Sequence, residues 1–544
     1  MKKRALSALL CTVAAMAVLT GCGGDKKETA AAPAEGNTTA AVTEAAKTEA
    51  ETTAAVQTEA GGEKNLVMPS ASCVANLNPL LEGYKEAAML NPIYDPLYVI
   101  DVNETRYYLA DSYEVSEDGM QITVKLKEGL KWHDGEAITA DDMIFTMDVC
   151  SDTNNGAGGT NIVILNDQSV KYEKVDDLTV KVTLPMASAS YADLLGGLTL
   201  IPEHVFEGNP SVVSAGEANM KGIGSGPYKV TEFKQDEYLL LEKYEDYYMG
   251  VPSIDKVTFR IISDLSAQEV ALMNGEVNFM ELANAPAVAK YEADPNFTVV
   301  KYPEGRVNYL AVNKFCETVQ DPKVVEAVFA ALNRDEIIAG AYGDGMAESA
   351  NSIFSNVNTF YDPSVEGYTQ DVEKAKQLVK ETGLDSKTLT LYFNSERVYM
   401  KESAQIIQQQ LKNVGINLEV IPLESAGFFE KVFGTDGDYE FYLNGYGAVG
   451  DPDQVVAGMY DGTWGVNLAV SDEVSQLWKD ARTVYTPEER AAIYKQIQIQ
   501  TRDELTCYPI AYPNYVFVTT SNIKGADTIK RTPVFEDYTK LTME

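Results

Sequence analysis

Residues 388–420 read TLTLYFNSERVYMKESAQIIQQQLKNVGINLEV, and this stretch decides the fold class. Residues 388–394 alternate apolar and polar side chains, as a half-buried strand does. Apolar residues then recur at helical spacing over 401–413, and Gly415 ends that helix. Residues 416–420 alternate again. Strand, helix and strand in succession predict a βαβ unit with parallel pairing, so the class is α/β.

Other elements on both sides of this unit fit the same class. Thr139 is predicted to cap a helix over 139–150, with Asp142 at the capping-box position. Pro at a first helical position after a capping residue predicts two more helix starts. These two helix starts are Asp321-Pro322 and Thr486-Pro487. The sequence also predicts a strand over 121–127 and paired strands over 228–233 and 238–243.

Length, composition and charge narrow the function. The chain has 544 residues, of which 45% are hydrophobic and 23% are charged. These fractions are typical of globular protein, and the length suits roughly three domains. The net charge of −37 repels phosphate backbones and anionic lipid. We therefore expect neither nucleic-acid binding nor electrostatic binding to a membrane surface.

The N-terminus predicts export and a lipid anchor. Lys2–Arg4 are basic, and an apolar run over 5–20 follows, which is the pattern of a signal peptide. Leu19-Thr20-Gly21-Cys22 resembles the bacterial lipobox, in which Cys22 would carry the lipid. We therefore expect residues 1–21 to be removed, and 22–63, which are Ala-, Thr- and Glu-rich, to be a disordered tether. The alternative is an ordinary signal peptide with a chance cysteine.

Four cysteines remain beyond Cys22, and they are far apart with no C-x-x-C pair. This spacing argues against zinc-ribbon and thioredoxin-type sites. Outside the cell two disulfides are compatible with the sequence, and so are buried free thiols, so the disulfide state stays open. The residues are Cys73, Cys150, Cys316 and Cys507.

Several segments, in order along the chain, carry a family resemblance. They are LADSYEVSEDG (109–119), LKEGLKWHDG (126–135), TADD (139–142), IPEHVF (201–206), GSGPYK (224–229), NGEVN (274–278), 308–313, 321–334 and QQQL (408–411). Together they resemble the extracytoplasmic solute-binding proteins of ABC importers, in the family typified by dipeptide, oligopeptide and nickel binders. The matches extend over the whole body from about Asn65 onward.

The resemblance implies a two-lobed, periplasmic-binding-protein-like clamp (type II-like), with mixed sheets flanked by helices and an extra subdomain. The chain would cross to the second lobe near 313 and return near 500. The expected segments are lobe I over 64–100, 221–312 and 501–544, the extra subdomain over 101–220, and lobe II over 313–500.

The implied function is that of a lipid-anchored substrate-binding subunit of an ABC importer. It would capture a peptide or related polar solute between its lobes and deliver it to permease and ATPase subunits. Ligand contacts with both lobes would stabilise the closed state, so no catalysis and no cofactor are needed. We expect a monomer on the extracytoplasmic face of the cell membrane.

Relatives that bind short peptides imply where a ligand would sit. Arg397, after the strand of 388–394, matches by position an arginine that meets the ligand carboxylate. The loop Gly445–Asp453 has the family's Asp-Pro-Asp, but the acid that meets the ligand amine is replaced by Ala448 or Val449. Asp451 is a substitute candidate, although Asp before Pro also reads as a helix cap.

Aromatic residues complete the predicted site. Tyr446 and Trp464 lie in glycine-containing loops and suit the walls of a cleft, although core packing is the alternative. Arg306, Asn308 and Tyr309 precede the expected crossing between lobes. The two histidines, His133 and His204, are interpreted as structural, so no metal site is predicted.

The sequence is also compatible with other functions. The same fold could bind a metal chelate, a sugar or another non-peptide solute, and the missing amine-binding acid favours these. A ligand sensor without import is also compatible with the sequence. A secreted hydrolase is disfavoured, because neither G-x-S-x-G nor H-E-x-x-H occurs.

Overall fold

The helices and strands come from a computed structural model. It describes residues 63–81, 89–100, 104–212, 216–447, 450–460, 468, 470–528 and 537–544. The strands are β1 (Asn65–Ser70), β2 (Tyr98–Ile100), β3 (Thr105–Tyr107), β4 (Ala110–Val115), β5 (Gln121–Leu126), β6 (Ile164–Leu165), β7 (Gln168–Ser169), β8 (Lys171–Asp176), β9 (Thr179–Thr183), β10 (Tyr228–Lys234), β11 (Tyr238–Lys243), β12 (Lys256–Ile261), β13 (Phe279–Glu281), β14 (Phe297–Pro303), β15 (Arg306–Val312), β16 (Ala347–Ser349), β17 (Thr388–Asn394), β18 (Asn417–Leu423), β19 (Phe441–Gly447), β20 (Cys507–Thr520), β21 (Ile523–Lys524) and β22 (Thr542–Met543).

The helices lie between these strands, mostly in the second half of the chain. They are α1 (Ala140–Ser151), α2 (Thr160–Val163), α3 (Tyr191–Gly196), α4 (Gly216–Asn219), α5 (Leu265–Met273), α6 (Ala285–Glu292), α7 (Pro322–Ala331), α8 (Arg334–Ala341), α9 (Val372–Thr382), α10 (Val398–Asn413), α11 (Ser425–Val432), α12 (Pro452–Val455), α13 (Ala457–Tyr460), α14 (Asp472–Ala481) and α15 (Pro487–Asp503). None of the described helices is long and apolar enough to cross a bilayer.

The predicted βαβ unit is confirmed. Strands β17 and β18 pair in parallel, with Thr388 opposite Asn417, and α10 connects them. Strand β19 also runs parallel to β17, and β15 pairs with β19 in antiparallel fashion. The result is a mixed sheet in the order β20-β15-β19-β17-β18.

Helices cover both faces of this sheet. Side chains that alternate along its strands enter two separate cores: Leu310 and Leu391 point to one, whereas Tyr309 and Tyr392 point to the other. Helices α7, α9 and α10 supply the first core, and α11, α14 and α15 supply the second. The two-period alternation of a strand therefore places neighbouring residues in opposite layers.

Two four-stranded sheets form the other part of the molecule. One has the order β1-β12-β11-β10, with β1 parallel to β12, and the other is the antiparallel sheet β4-β5-β9-β8. The predicted strand pair over 228–243 is confirmed as β10 and β11. The predicted capping box of α1 is also confirmed. The Thr139 side chain accepts a backbone N–H of the first helical turn, and the Asp142 side chain accepts the Thr139 N–H.

The two parts are joined along β20. This 14-residue strand pairs with β15 through its N-terminal half and with β13 and β14 through its C-terminal half. Only residues 304 and 305 separate β14 from β15. We call residues 63–303 with 514–544 the first lobe and residues 306–511 the second lobe. The strand pairing thus changes lobe at 303–306 and 511–514, whereas the sequence-based boundaries around 313 and 500 stay predictions.

Both histidines lie in the first lobe. Nδ1 of His133 accepts the Gly224 N–H at 3.2 Å, and Nε2 donates to the Gly226 carbonyl at 2.9 Å. Burial lowers the His133 pKa to about 4, so the ring is neutral at pH 7. Nε2 of His204 lies 2.8 Å from the Asp134 carboxylate. Both rings therefore hold turns of the scaffold together.

A buried carboxyl group lies in the same lobe. The side chain of Asp95 accepts hydrogen bonds from Tyr247 at 2.9 Å and Tyr248 at 2.8 Å. Burial raises its pKa from 3.8 to about 7, although the two tyrosine hydroxyls and Lys127 oppose this rise. The charge of Asp95 is therefore sensitive to pH near neutrality.

The sequence left the disulfide state of four cysteines undecided. Three of these are buried and form no disulfide: Cys150, Cys316 and Cys507. Cys73 is half-buried. Burial raises the pKa of both Cys150 and Cys507 to about 12, so these thiols stay protonated and unreactive.

Candidate functional site

A cavity of about 190 Å³ opens on the second lobe, at the edge formed by the ends of β15, β17 and β19. Parallel β17 and β19 both end here, which is where ligands bind in open α/β sheets. The lining residues are Arg306, Asn394, Arg397, Met400, Phe428, Phe429, Phe433, Asn444, Gly445, Tyr446 and Met459.

Two arginines give the cavity a positive side. Arg306 is held in place: its Nε donates to Asn308 Oδ1 at 3.0 Å, and its Nη2 donates to the Gly445 carbonyl at 2.7 Å. Arg397 lies just before α10 and is exposed. Among the described residues, no acceptor forms a hydrogen bond or ion pair with its guanidinium. Arg397 is thus a cation at the cavity with its donors available.

Glycine is required at 445 by a close approach. A Cβ atom there would lie 2.0 Å from Asn308 Oδ1 and 3.0 Å from Arg306 Nε. Any larger residue would therefore displace the side chains that orient Arg306. Asn308 itself is buried, and its Nδ2 donates to the Tyr342 hydroxyl at 2.8 Å.

Aromatic and thioether side chains form an apolar wall of the cavity. Phe428 is fully buried, whereas Phe429 and Phe433 are 44% and 50% exposed. The rings of Phe429 and Phe433 lie 6.1 Å apart, one helical turn from each other at the end of α11. Met400 and Met459 are buried beside them in the lining.

The positive side and the aromatic wall share one anchor. Asn394, at the end of β17, donates to Ser425 Oγ at 2.9 Å, and Ser425 begins α11. The Ser425 hydroxyl in turn donates to Glu396 Oε2 at 2.7 Å. Residues 394–396 therefore tie the start of α11 to the loop that carries Arg397.

A carboxyl group lies near the two arginines. Burial raises the pKa of Glu304 above its ordinary value of 4.5, and the charges of Arg306 and Arg397 oppose the rise. Glu304 follows β14 at the connection between the lobes. Its protonation therefore changes the net charge that the arginine pair presents.

The structure places the predicted site residues in different environments. Arg397 and Tyr446 line the cavity, as does Arg306. The Tyr446 hydroxyl donates to the Ile353 carbonyl at 2.6 Å, and its ring lies 5.2 Å from Tyr309. Asn308 and Tyr309 are buried behind the lining, so they support Arg306 and Tyr446 rather than reach the cavity.

Asp451 lies outside the cavity lining. Its carboxylate pairs with Arg490 through contacts of 2.5 and 2.9 Å, and both side chains are less than a tenth exposed. It also caps α12 by accepting the Asp453 N–H at 3.1 Å. This geometry gives Asp451 a structural role as ion-pair partner and helix cap, and its contact with a ligand amine stays a prediction.

Three predicted positions lie outside the described residues: Trp464, Ala448 and Val449. The lipidation site Cys22, the signal peptide and the tether lie outside them as well.

Sequence reasoning missed much of the lining. The apolar wall of Phe428, Phe429 and Phe433 gave only an ambiguous signal, because apolar residues at helical spacing also form ordinary core contacts. The polar lining residues Asn394 and Asn444 gave none, since amides at strand ends are common. The residues missed also include Met400 and Met459.

The lobes contact each other beside the loop of Asp451. Ser190 Oγ donates to Asp453 Oδ2 at 2.9 Å, and Gln454 Nε2 donates to Ser190 Oγ at 2.6 Å. The Asp451 N–H donates to Asp193 Oδ2 at 2.9 Å. The first lobe thus touches the second through the start of α3.

Known proteins resemble this chain in sequence and in fold. The dipeptide-binding protein of Escherichia coli (strain K12) is 27% identical over 499 residues, covering 85% of this chain and 92% of the relative. The crystal structure of CtaP, an ABC transporter substrate-binding protein of Listeria monocytogenes, is 32% identical with a TM-score of 0.82, covering 88% of this chain and 99% of that one. AppA, the oligopeptide-binding protein of Bacillus subtilis solved with a nonapeptide, is 26% identical with a TM-score of 0.68, covering 89% and 99%.

A family model matches most of the chain. The match covers residues 104–467 and is described as bacterial extracellular solute-binding proteins, family 5 Middle. These residues include the cavity, both arginines and the first-lobe contacts of the Asp451 loop. The chain therefore belongs to the bacterial extracellular solute-binding proteins of family 5.

Proposed function

We propose that this protein is the lipid-anchored substrate-binding subunit of an ABC importer, and that it captures a peptide through the peptide's free carboxylate. The observation that carries the proposal is Arg397, a cation at the cavity whose guanidinium forms no hydrogen bond or ion pair with the described residues. The names of the relatives from Escherichia coli and Bacillus subtilis support peptide as the solute class.

The physical reason lies in the cost of desolvating a carboxylate. A ligand anion that leaves water must gain charged or hydrogen-bonded partners of comparable strength. A guanidinium supplies two parallel N–H donors that match both carboxylate oxygens. Arg306 is already fixed by Asn308 and the Gly445 carbonyl, so it adds positive charge without further loss of side-chain entropy.

Closure of the clamp follows from the contacts between lobes. The hydrogen bonds of Ser190 with Asp453 and Gln454 form only when the lobes are close. A ligand that adds contacts in this state shifts the population toward it. The connections at 303–306 and 511–514 are the proposed hinges, because strand pairing changes lobe there.

Recognition of the ligand amine is proposed to be weak. The family's amine-binding acid is replaced by Ala448 or Val449, and the described cavity lining contains two arginines and no acid. An N-acetylated peptide should therefore bind about as well as the free peptide, whereas a C-terminal amide should bind much less well.

The test is calorimetric titration of the mature protein with one peptide in three forms: free, N-acetylated and C-amidated. A pooled peptide library screened by thermal melting first identifies a ligand, since 100-fold saturation adds about 2.7 kcal/mol to the stability of the folded state. Arg397→Gln should lower affinity for the free acid by roughly tenfold, as expected for an exposed charge-assisted contact. Lys401→Gln, an exposed cation one turn along α10, is the matched control and should have no effect.

Two results would contradict the proposal. Equal affinity for the free acid and the C-amide would remove carboxylate recognition. Equal losses from Arg397→Gln and Lys401→Gln would show that only general charge matters.

The anchor has a separate test. Replacement of Cys22 by Ala should move the protein from the membrane fraction to the medium, because lipid on Cys22 is the proposed attachment. Membrane retention of Cys22→Ala, with the signal peptide still removed, would contradict the lipobox interpretation.

A further inference from the structure

Part of the apolar wall of the cavity is left uncovered by the residues that the structure describes. Phe429 and Phe433 expose about half of their surfaces, although their neighbour Phe428 is fully buried. Single exposed aromatics are common on protein surfaces. Two adjacent rings that share a cavity with Phe428 and two methionines form a contiguous apolar patch, and such patches mark binding surfaces.

The charge of the cavity differs from that of the whole protein. The chain carries a net charge of −37, yet the described lining contains Arg306 and Arg397 and no carboxylate. A local cationic site on an acidic protein favours an anionic ligand. The lining of one small cavity thus combines two features, a cationic side and an apolar wall.

The spacing of these two features is fixed by the shared anchor. Hydrogen bonds from Asn394 to Ser425 and from Ser425 to Glu396 hold α11 against the loop of Arg397. A ligand charge and a ligand apolar group must therefore be close together to meet both. Methionines in the wall adapt to different apolar shapes, so the wall selects apolar character more than one particular side chain.

We infer that the cavity selects an anionic ligand with a bulky apolar group next to its carboxylate. For a peptide, which rests on the proposed function, this group is an aromatic or branched aliphatic C-terminal side chain. The carboxylate then meets Arg397 while that side chain covers Phe429 and Phe433. The selection comes from the apolar wall and is separate from recognition of the carboxylate.

The experiment compares the tripeptides Ala-Ala-Phe, Ala-Ala-Leu, Ala-Ala-Gly and Ala-Ala-Glu, all as free acids, by calorimetry on the mature protein. Phe and Leu at the C-terminus should bind roughly tenfold or more tightly than Gly, since several apolar carbons leave water. Glu should bind no better than Gly. 4-Phenylbutanoate and octanoate are tested in parallel, because they carry the same chemistry without a peptide backbone.

Variants locate the preference. Phe429→Ser and Phe433→Ser should each reduce the ratio of affinities for Ala-Ala-Phe over Ala-Ala-Gly by about threefold or more, because binding of Ala-Ala-Phe loses more apolar contact than binding of Ala-Ala-Gly. Both side chains are half exposed, so folding should be little affected. Phe315→Ser, at a 41% exposed phenylalanine outside the lining, is the matched control and should leave the ratio unchanged.

The outcomes separate the two proposals. Binding of the tripeptides without dependence on the last residue would overturn this inference and leave the proposed function intact. Binding of phenylbutanoate or octanoate without binding of any peptide would support this inference and overturn the peptide proposal. An unchanged ratio in both phenylalanine variants would overturn the assignment of the preference to this wall.

Discussion

Replacement of Arg490 by Met tests whether Asp451 is structural. Arg490 is 7% exposed and Asp451 is 8% exposed, and two hydrogen bonds of 2.5 and 2.9 Å join them. Without the guanidinium, Asp451 Oδ2 loses its protein donor. Oδ1 keeps the Asp453 N–H at 3.1 Å and the Tyr494 hydroxyl at 3.4 Å.

The expected magnitude follows from this geometry. Breaking a buried ion pair by removing one partner costs about 3–5 kcal/mol, because the other charge stays buried without compensation. Arg490 also donates to the Ala481 carbonyl and stacks on the Phe360 ring, and both contacts are lost. We therefore expect a loss of about 4 kcal/mol in the stability of the second lobe. The double variant with Asp451→Asn should recover part of it, because a neutral amide needs no counter-ion.

Urea unfolding followed by tryptophan fluorescence measures this loss. The chain has three tryptophans, and Trp478 is buried in the second lobe against Phe354 and Tyr460. Changing Trp132 and Trp464 to Phe leaves Trp478 as the reporter of that lobe. Lys374→Met is the control, since its ion pair with Glu326 is exposed and should contribute less than about 1 kcal/mol.

The structural interpretation is refuted by one combination of results. If Arg490→Met lowers the stability of the lobe by less than about 1 kcal/mol but weakens peptide binding at least tenfold, Asp451 acts on the ligand.

Three more predictions follow from single groups. Asp95 holds a proton in the folded state between pH 3.8, its ordinary pKa, and about pH 7, so the free energy of unfolding should fall as the pH rises through this window. Asp95→Asn should flatten this pH dependence. An unchanged slope in urea unfolding of the variant would contradict the assignment to Asp95. Protonation of Glu304 removes a negative charge near the arginines, so an anionic peptide should bind more tightly as the pH falls from neutrality toward the raised pKa of Glu304. Glu304→Gln should abolish this trend in calorimetry. Gly445→Ala should weaken peptide binding by about tenfold, because its Cβ would displace Arg306, whereas Gly447→Ala has open space around the new Cβ and should bind normally.

Local sequence patterns predicted the fold well where they reflect backbone physics. The alternation over 388–394 and 416–420 predicted β17 and β18, and Thr139 with Asp142 predicted the capping box of α1. These features depend on neighbours within a few residues, so the sequence displays them directly. The family resemblance supplied the two-lobed arrangement, which local patterns do not contain.

The candidate site was predictable only in part. Arg397 was found because its position after β17 matches a family pattern, and it lines the cavity. Asp451 was ambiguous, since its partner Arg490 is distant in sequence and no local pattern reveals a buried ion pair. The aromatic wall of α11 was missed because an apolar helix face looks the same in sequence whether a core or a ligand covers it.

A crystal structure of the protein with Ala-Ala-Phe bound tests the central claim most directly. We predict the peptide carboxylate about 2.7–3.0 Å from the Arg397 guanidinium, with the phenylalanine ring against Phe429 and Phe433 and both lobes closed on the peptide. A peptide bound elsewhere, or bound in this cavity with its carboxylate pointing into solvent, would contradict it.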